Sequence, residues 1–313
     1  MSKTLTDVFQ LGDPVESRGV VVVPLFPTRD PACEYLTLDE ALPQGLTIAE
    51  TSLSGSVPEL AVRNPIESNV LLYDGEELVG AKQNRILNLT VLVGAKTTLE
   101  IPVSCVEEGR WSARSAAFDA AGHVSHAHLR RRKAEMLAAR PLARGVAQDE
   151  VWDEVRSKAE RMGVESRTHA NSDTFEANSA RLLELEQAFP LQPGQCGAVL
   201  ALGDSLCADW VSRPDAFVQL WPKLRRGYLL DALETLDRTP TPQTAIDAFV
   251  AQVTTTPTSC QLSAGLGEDI RLRGTDVIGS GLEFDGELLQ LSAFTSNGGD
   301  RAFGRIARPS RRR

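Results

Sequence analysis

Apolar residues recur at every second position through the stretch 85–107, the signature of half-buried strands. Leu87, Leu89, Val91 and Val93 alternate with Ile86, Asn88, Thr90 and Leu92. Leu99, Ile101, Val103 and Cys105 alternate with Glu100, Pro102, Ser104 and Val106. Between the two runs, Gly94 to Thr98 is a five-residue, glycine-containing loop of hairpin size. Aligning the more apolar faces sets Val93 opposite Leu99, Leu89 opposite Val103 and Leu87 opposite Cys105, because a one-residue slip turns every apolar side chain to the wrong face. That register predicts a charged pair, Arg85 opposite Glu107, where the apolar run stops. Buried charges are tolerated when paired or hydrogen-bonded. The other face carries Asn84, Asn88, Thr90 and Ser104, a polar row expected to meet solvent or a ligand.

The rest of the chain is patterned as clearly. Val20 to Phe26 is a short apolar run ending at Pro27 and predicts a strand. Thr37 and Glu40 have capping-box spacing for a brief helix through Leu42, ended by Gly45. Leu46 to Glu50 and Glu59 to Asn64 alternate as strands, and Asp74-Gly75 predicts a hairpin joining Val70–Tyr73 to Glu76–Val79. The pattern then changes to helical spacing. Ser125 is placed to cap a helix reaching Arg140, Asp149 opens a second that ends at Gly163, and a third is expected over 173–189. Strands return at Gly197–Leu202 and Leu206–Val211. Pro214 starts a helix to Leu236 that Pro222 should bend or split, and Thr241-Pro242 starts another to about Val253. Strands at 259–264, 270–273, 276–284 and 287–294 close the pattern, the last two joined at Asp285-Gly286.

The expected class is α+β: a mainly antiparallel sheet with a helical insert in the middle of the chain. The expected organisation is a single compact unit over 1–313. It is strand-rich over 18–118, with a helical insert over 125–190, a strand/helix/strand section over 196–296 and a basic tail over 300–313.

Charge narrows the function. A net charge of -9 over 313 residues disfavours a general nucleic-acid binder, although HAHLRRRK at 126–133 and the six arginines of 301–313 are local basic clusters. No apolar run reaches membrane-spanning length and the first ten residues lack a signal-peptide core, so a cytoplasmic protein with no membrane partner is expected. The five cysteines show no metal-type spacing and are expected to be reduced. No Walker loop, dinucleotide fingerprint or nucleophile elbow is present, and no cofactor is expected.

The candidate chemistry gathers in DGEELVGAKQNRILN and PVSCVEEGRW. Lys82, Arg85 and Arg110 suit a pyrophosphate or carboxylate, arginine by paired hydrogen bonds and lysine as a point charge. The plainer reading is that Arg85 and Glu107 close the sheet end and Lys82 is solvated. Gln83, Asn84 and Asn88 would orient a ligand. Glu107 is the candidate acid or base, provided it is desolvated. Cys105 is a candidate nucleophile only with a lowered pKa; otherwise it is a small buried apolar group. Trp111 can stack on a base or pack in the core. His123, His126 and His128 have a spacing that zinc could use, without cysteine partners.

The phrases YLTLDEAL, GAKQNRILN, PVSCVEEGRW and GDSLCADW with LWPKLRRGYLLDALE resemble the ADP-ribosylglycohydrolase and rhodanese-phosphatase associated protein domain, from about Pro24 to Phe294. The resemblance implies a link to NAD or ADP-ribose metabolism and carries the two central motifs, as Lys82, Gln83, Asn84, Arg85 and Asn88, and as Cys105, Glu107, Arg110 and Trp111. Two readings follow. In one, the protein binds and processes a nucleotide-like small molecule as a hydrolase. In the other, it is a non-catalytic interaction or sensor module beside such enzymes. Homo-oligomerisation is left open.

Overall fold

The run Val20–Pro27 is apolar at consecutive positions because both its faces are covered. Val20 and Val22 pack with one set of buried side chains, and Val21, Val23 and Leu25 with another. This is the pattern of a strand with helices on both sides of its sheet. A computed structural model describes residues 8–52, 55–56, 58–140 and 144–296. Its strands are β1 (Phe9–Leu11), β2 (Val15–Ser17), β3 (Val20–Pro27), β4 (Leu36–Thr37), β5 (Thr47–Glu50), β6 (Glu59–Arg63), β7 (Val70–Leu72), β8 (Glu76–Gly80), β9 (Arg85–Leu87), β10 (Val91–Val93), β11 (Thr98–Cys105), β12 (Phe118–Val124), β13 (Gly197–Leu202), β14 (Ser205–Val211), β15 (Thr258–Leu262), β16 (Glu268–Arg273), β17 (Val277–Phe284) and β18 (Glu287–Thr295). Its helices are α1 (Leu38–Ala41), α2 (Ala127–Ala139), α3 (Gln148–Arg161), α4 (Asn171–Ala177), α5 (Ser179–Glu186), α6 (Pro214–Ala232) and α7 (Gln243–Thr255).

The strands form three sheets. The largest runs β1-β3-β13-β14-β18-β17-β16-β15, with β2 also on β3. A six-stranded sheet runs β12-β8-β9-β11-β6-β5, and a three-stranded one runs β10-β7-β4. The β4–β7 pair is parallel and the other pairs are antiparallel, so the fold is α+β and dominated by antiparallel sheet. Helix α7 covers one face of the largest sheet through Ile246, Phe249 and Val253. On the other face, α6 lies between β13 and β14 of that sheet and β12 of the six-stranded one, and α2 packs on β16, β17 and β18. The two smaller sheets close over a separate core that includes Leu60, Val62, Leu72, Leu87, Val93 and Val103.

Two expected hairpins are not formed. The run 86–93 splits: β9 pairs with β11, while β10 leaves to pair with β7. The break falls at Asn88 and Thr90, whose side chains take up buried polar groups instead of continuing a ladder. Ser104 Oγ donates to Asn88 Oδ1 at 2.8 Å, and the Asp74 amide donates to Thr90 Oγ1 at 3.0 Å. Where β9 and β11 do pair, Arg85 faces Cys105 and Leu87 faces Val103, two residues from the expected register. A two-residue shift keeps every side chain on its face, so hydrophobic matching does not distinguish the two. The polar row Asn84, Asn88, Thr90 and Ser104 is buried rather than open to solvent.

At Asp74-Gly75 the turn forms, but its flanking strands enter different sheets. Asp74 is a buried anchor there, accepting from Lys133 Nζ at 2.7 Å and lying 3.4 Å from Arg130 Nε. HAHLRRRK is accordingly not a basic surface patch throughout: Arg130 and Lys133 are buried in ion pairs.

Other departures are smaller. The helix expected over 173–189 is split into α4 and α5 at Asn178. His126, not Ser125, caps α2, its Nδ1 accepting from the Leu129 amide at 3.4 Å. Helix α6 is one helix through Pro222, which lies on its exposed side, where water can satisfy the carbonyl that proline leaves unpaired. The Thr37 capping box forms as expected, and Asp285 and Gly286 have φ of 50° and 78°, as a two-residue hairpin turn needs. The basic tail 301–313 lies outside the described residues. Among the described residues no two cysteines form a disulfide.

Candidate functional site

The two motifs meet at the end of β8, β9 and β11. Gly80 at φ 122° and Ala81 at φ 35° turn the chain out of β8, so that Lys82, Gln83 and Asn84 form the connection to β9. The guanidinium of Arg110 fastens this turn. It donates to Gly80 O at 3.1 Å, Ala81 O at 2.6 Å, Ser112 O at 2.8 Å and Asn84 Oδ1 at 3.1 Å. It also pairs with Glu107 at 2.6 Å. Glu107 accepts from the Asn84 amide at 3.2 Å and from Thr168 Oγ1 at 3.1 Å. Gln83 Nε2 reaches Glu108 O at 3.5 Å.

A second carboxylate, Glu77, lies behind Asn84. Its Oε2 accepts from Asn171 Nδ2 at 2.7 Å and lies 2.9 Å from His123 Nε2, and its Oε1 accepts from Asn84 Nδ2 at 3.3 Å. The His123 ring stacks on Phe175 with centroids 3.7 Å apart. Glu77, Thr168 and Asn171 were not candidates from the sequence, and His123 was one only as a zinc ligand. The available signal was Glu76-Glu77 inside an otherwise apolar strand, where a buried carboxylate demands partners.

Burial alone would raise the Glu107 carboxyl, but Arg110, the Asn84 amide and Thr168 outweigh it and hold the group below the ordinary carboxylate range. It is an ionised, fully bonded group at neutral pH. Cys105 is pushed the other way: burial raises its thiol to about 11, with the Arg85 charge opposing and Glu50 adding. Its thiolate fraction at neutral pH is therefore very small.

The expected Arg85–Glu107 pair is not made. Arg85 is fully buried, donates to Cys105 Sγ and to Ser56 O at 3.3 Å, and lies 3.6 Å from Glu50. The register accounts for this: with Arg85 opposite Cys105, Glu107 falls beyond the strand end, where it forms a bridge to Ala170. Asn88 is likewise held inside, against Ser104.

Trp111 is the opposite case. It is 50 % exposed, not packed in the core. Lys82 Nζ lies 5.4 Å and Arg85 Cζ 5.7 Å from its ring centroid, both within cation–π range. Arg114, on the same exposed segment, has its amide on Ala81 O at 2.9 Å and its guanidinium 3.7 Å from Glu107. The three clustered histidines do not converge: His123 goes to Glu77, His126 to Asp231 and His128 to Glu154. Among the described residues no group of His, Cys, Asp and Glu has metal-holding geometry.

The model of the ARG and Rhodanese-Phosphatase-superfamily-associated Protein domain matches residues 8–294. The chain belongs to that family. The match takes in all three sheets and both motifs of the candidate site. No curated protein and no solved structure matches the chain. Among the described residues, no helix of this family member is long and apolar enough to cross a membrane.

Proposed function

We propose that this chain is a non-catalytic binding module for a nucleotide-derived phosphate compound, with the ADP-ribose and NAD class favoured, and that it docks the ligand on the Trp111 loop. The observation that carries the reading is the half-exposed indole with Lys82 beside its ring and Arg114 on the same loop. A base stacked on an exposed aromatic ring gains about 1–3 kcal/mol. Lys82 and Arg114 then supply the charge a phosphate needs. The family's association with the ARG and rhodanese-phosphatase superfamilies is in keeping with a module that works beside enzymes.

In this reading Asn84, Glu107 and Arg110 are positioning residues. Their hydrogen bonds are spent on one another and on the backbone of 80–84 and 112, which fixes the loop that carries Lys82 and Trp111. Gln83 steadies the same turn through Glu108. Arg85 supports the indole from beneath, and Asn88 and Cys105 pack the strands that carry it. The experiment is tryptophan fluorescence during titration with ADP-ribose, NAD and AMP. Saturable quenching is expected, abolished by Trp111→Leu and weakened by Lys82→Ala; Trp210 and Trp221 are buried, and a Trp152→Phe background removes the partly buried fourth tryptophan from the signal. A folded protein whose emission is unchanged by millimolar amounts of all three compounds would sink the reading.

A further inference from the structure

A row of polar side chains crosses the largest sheet on the face that α2 covers. Ser259 of β15 faces Arg271 of β16, Arg271 faces Ser280 of β17, Ser280 faces Ser292 of β18, and Ser292 faces Asp209 of β14. The inner end of the row is saturated. Asp209 takes two hydrogen bonds of 2.7 Å from Arg130, and Ser292 accepts from Arg130 at 2.8 Å.

The outer end is not. Arg271 is 3 % exposed, yet its Nε, Nη1 and Nη2 have no hydrogen-bond partner. Its ion pair is with Asp269, whose Oδ2 is 3.5 Å from Nη2, too long for a good hydrogen bond. A buried guanidinium with one carboxylate at this distance and no hydrogen bond is costly, and its unfilled donors call for an ion or water to complete them. Burial accordingly pushes Arg271 down and Asp269 up, each toward its neutral form.

Arg271 lines a cavity of about 210 Å³ together with Arg273, Thr258 and Ser259, and Asp269 is not part of its wall. We infer that this cavity is an oxyanion site that binds a phosphate group, held by Arg271 and Arg273 with the hydroxyl of Ser259. Two arginines in one wall give the fork geometry that phosphate oxygens match. The volume agrees with the class: a water needs only about 10–15 Å³, and a pocket for a drug-sized molecule about 300–1,000 Å³. A wider cleft of about 550 Å³ shares Pro257 and Arg273 with the cavity and has room for the organic part of a phosphate ester. This site is on the edge strands of the largest sheet and does not depend on the Trp111 loop.

Thermal unfolding and phosphorus NMR on the full chain test it, with orthophosphate and glycerol phosphate as probes. Chloride at equal ionic strength is the reference, because phosphate also stabilises proteins by exclusion from their surface. A saturable rise in Tm is expected. Arg273→Ala, at an exposed position whose one hydrogen bond is to Ala138 O at 3.3 Å, is expected to keep the fold and to weaken binding about tenfold. The double variant Arg271→Met with Asp269→Asn, which leaves no unpaired buried charge, should abolish it. Tighter binding of glycerol phosphate assigns the site to an ester, and equal binding assigns it to free phosphate; both support the inference. No saturable response to either probe overturns it, as does a response of the same size in both variants.

Discussion

Cys105 and Glu107 are two residues apart and meet opposite electrostatic fates. The thiol is buried against apolar strands and raised to about 11, whereas the carboxylate accepts hydrogen bonds from three sides and is lowered. Sequence spacing placed both near one sheet end, and there they are. It could not supply the partners that decide their charge, because Thr168 and Asn84 come from other segments. The Glu107–Arg110 pair is local, three residues apart, and was open to reading from spacing alone. The exposure of Trp111 was not, since a tryptophan is more often packed away. The thiol yields a direct prediction. At pH 8, iodoacetamide should label exposed Cys260 in the native protein and leave Cys105 unmodified until urea is added, as read by peptide mass spectrometry. Cys105 labelled first in the folded state would mean that its thiolate is accessible and the assigned burial is wrong.

Hairpins between neighbouring strands were legible where the turn residues and both strands serve one sheet. β13 and β14 meet across Gly203-Asp204, and β17 and β18 across Asp285-Gly286. The failures occurred where one turn feeds two sheets, at Asp74-Gly75 and at Asn88–Thr90. There a buried side chain, rather than the turn, decides which way the strand goes. Asp74 is drawn to Lys133 and Arg130 on α2, and the same Arg130 reaches across to Asp209 on β14. This one helix therefore joins β14 to the end of β7 through ions that hydrophobic periodicity cannot show. Removing one partner of a buried pair leaves the other charge desolvated and costs about 3–5 kcal/mol. Arg130→Met should lower the stability by that amount in urea unfolding with an unchanged slope, and Arg130→Met with Asp209→Leu should recover much of it. A loss below about 1 kcal/mol in the single variant would show that the ion pair does not hold the layers together.

At the scale of the molecule, what was least legible is how the sheets sit on one another, because the contacts that join them are distant in sequence and made by backbone as much as by side chains. Helix α6 crosses from the largest sheet to β12, and it comes close at Gly227. A Cβ built there would lie 2.5 Å from Val124 O and 3.1 Å from Ser125 O. Both are main-chain atoms, which cannot swing aside as a long side chain can. In an isolated helix Gly→Ala is favourable by about 1 kcal/mol. Here the added methyl must push α6 away from β12 or distort the end of that strand, and overpacking of this kind costs about 1–3 kcal/mol. The two terms oppose, and the contact with backbone should win. Gly227→Ala is therefore expected to lower the unfolding midpoint in urea, while Gly122→Ala, where a Cβ meets nothing within 4 Å, should barely move it. Since Val124 and Ser125 lead from β12 into α2, the same variant should speed amide hydrogen exchange in α2 as well as in α6. If Gly227→Ala proves as stable as the parent chain and exchange in both helices is unchanged, the close approach of helix to strand is not what sets the spacing between the sheets.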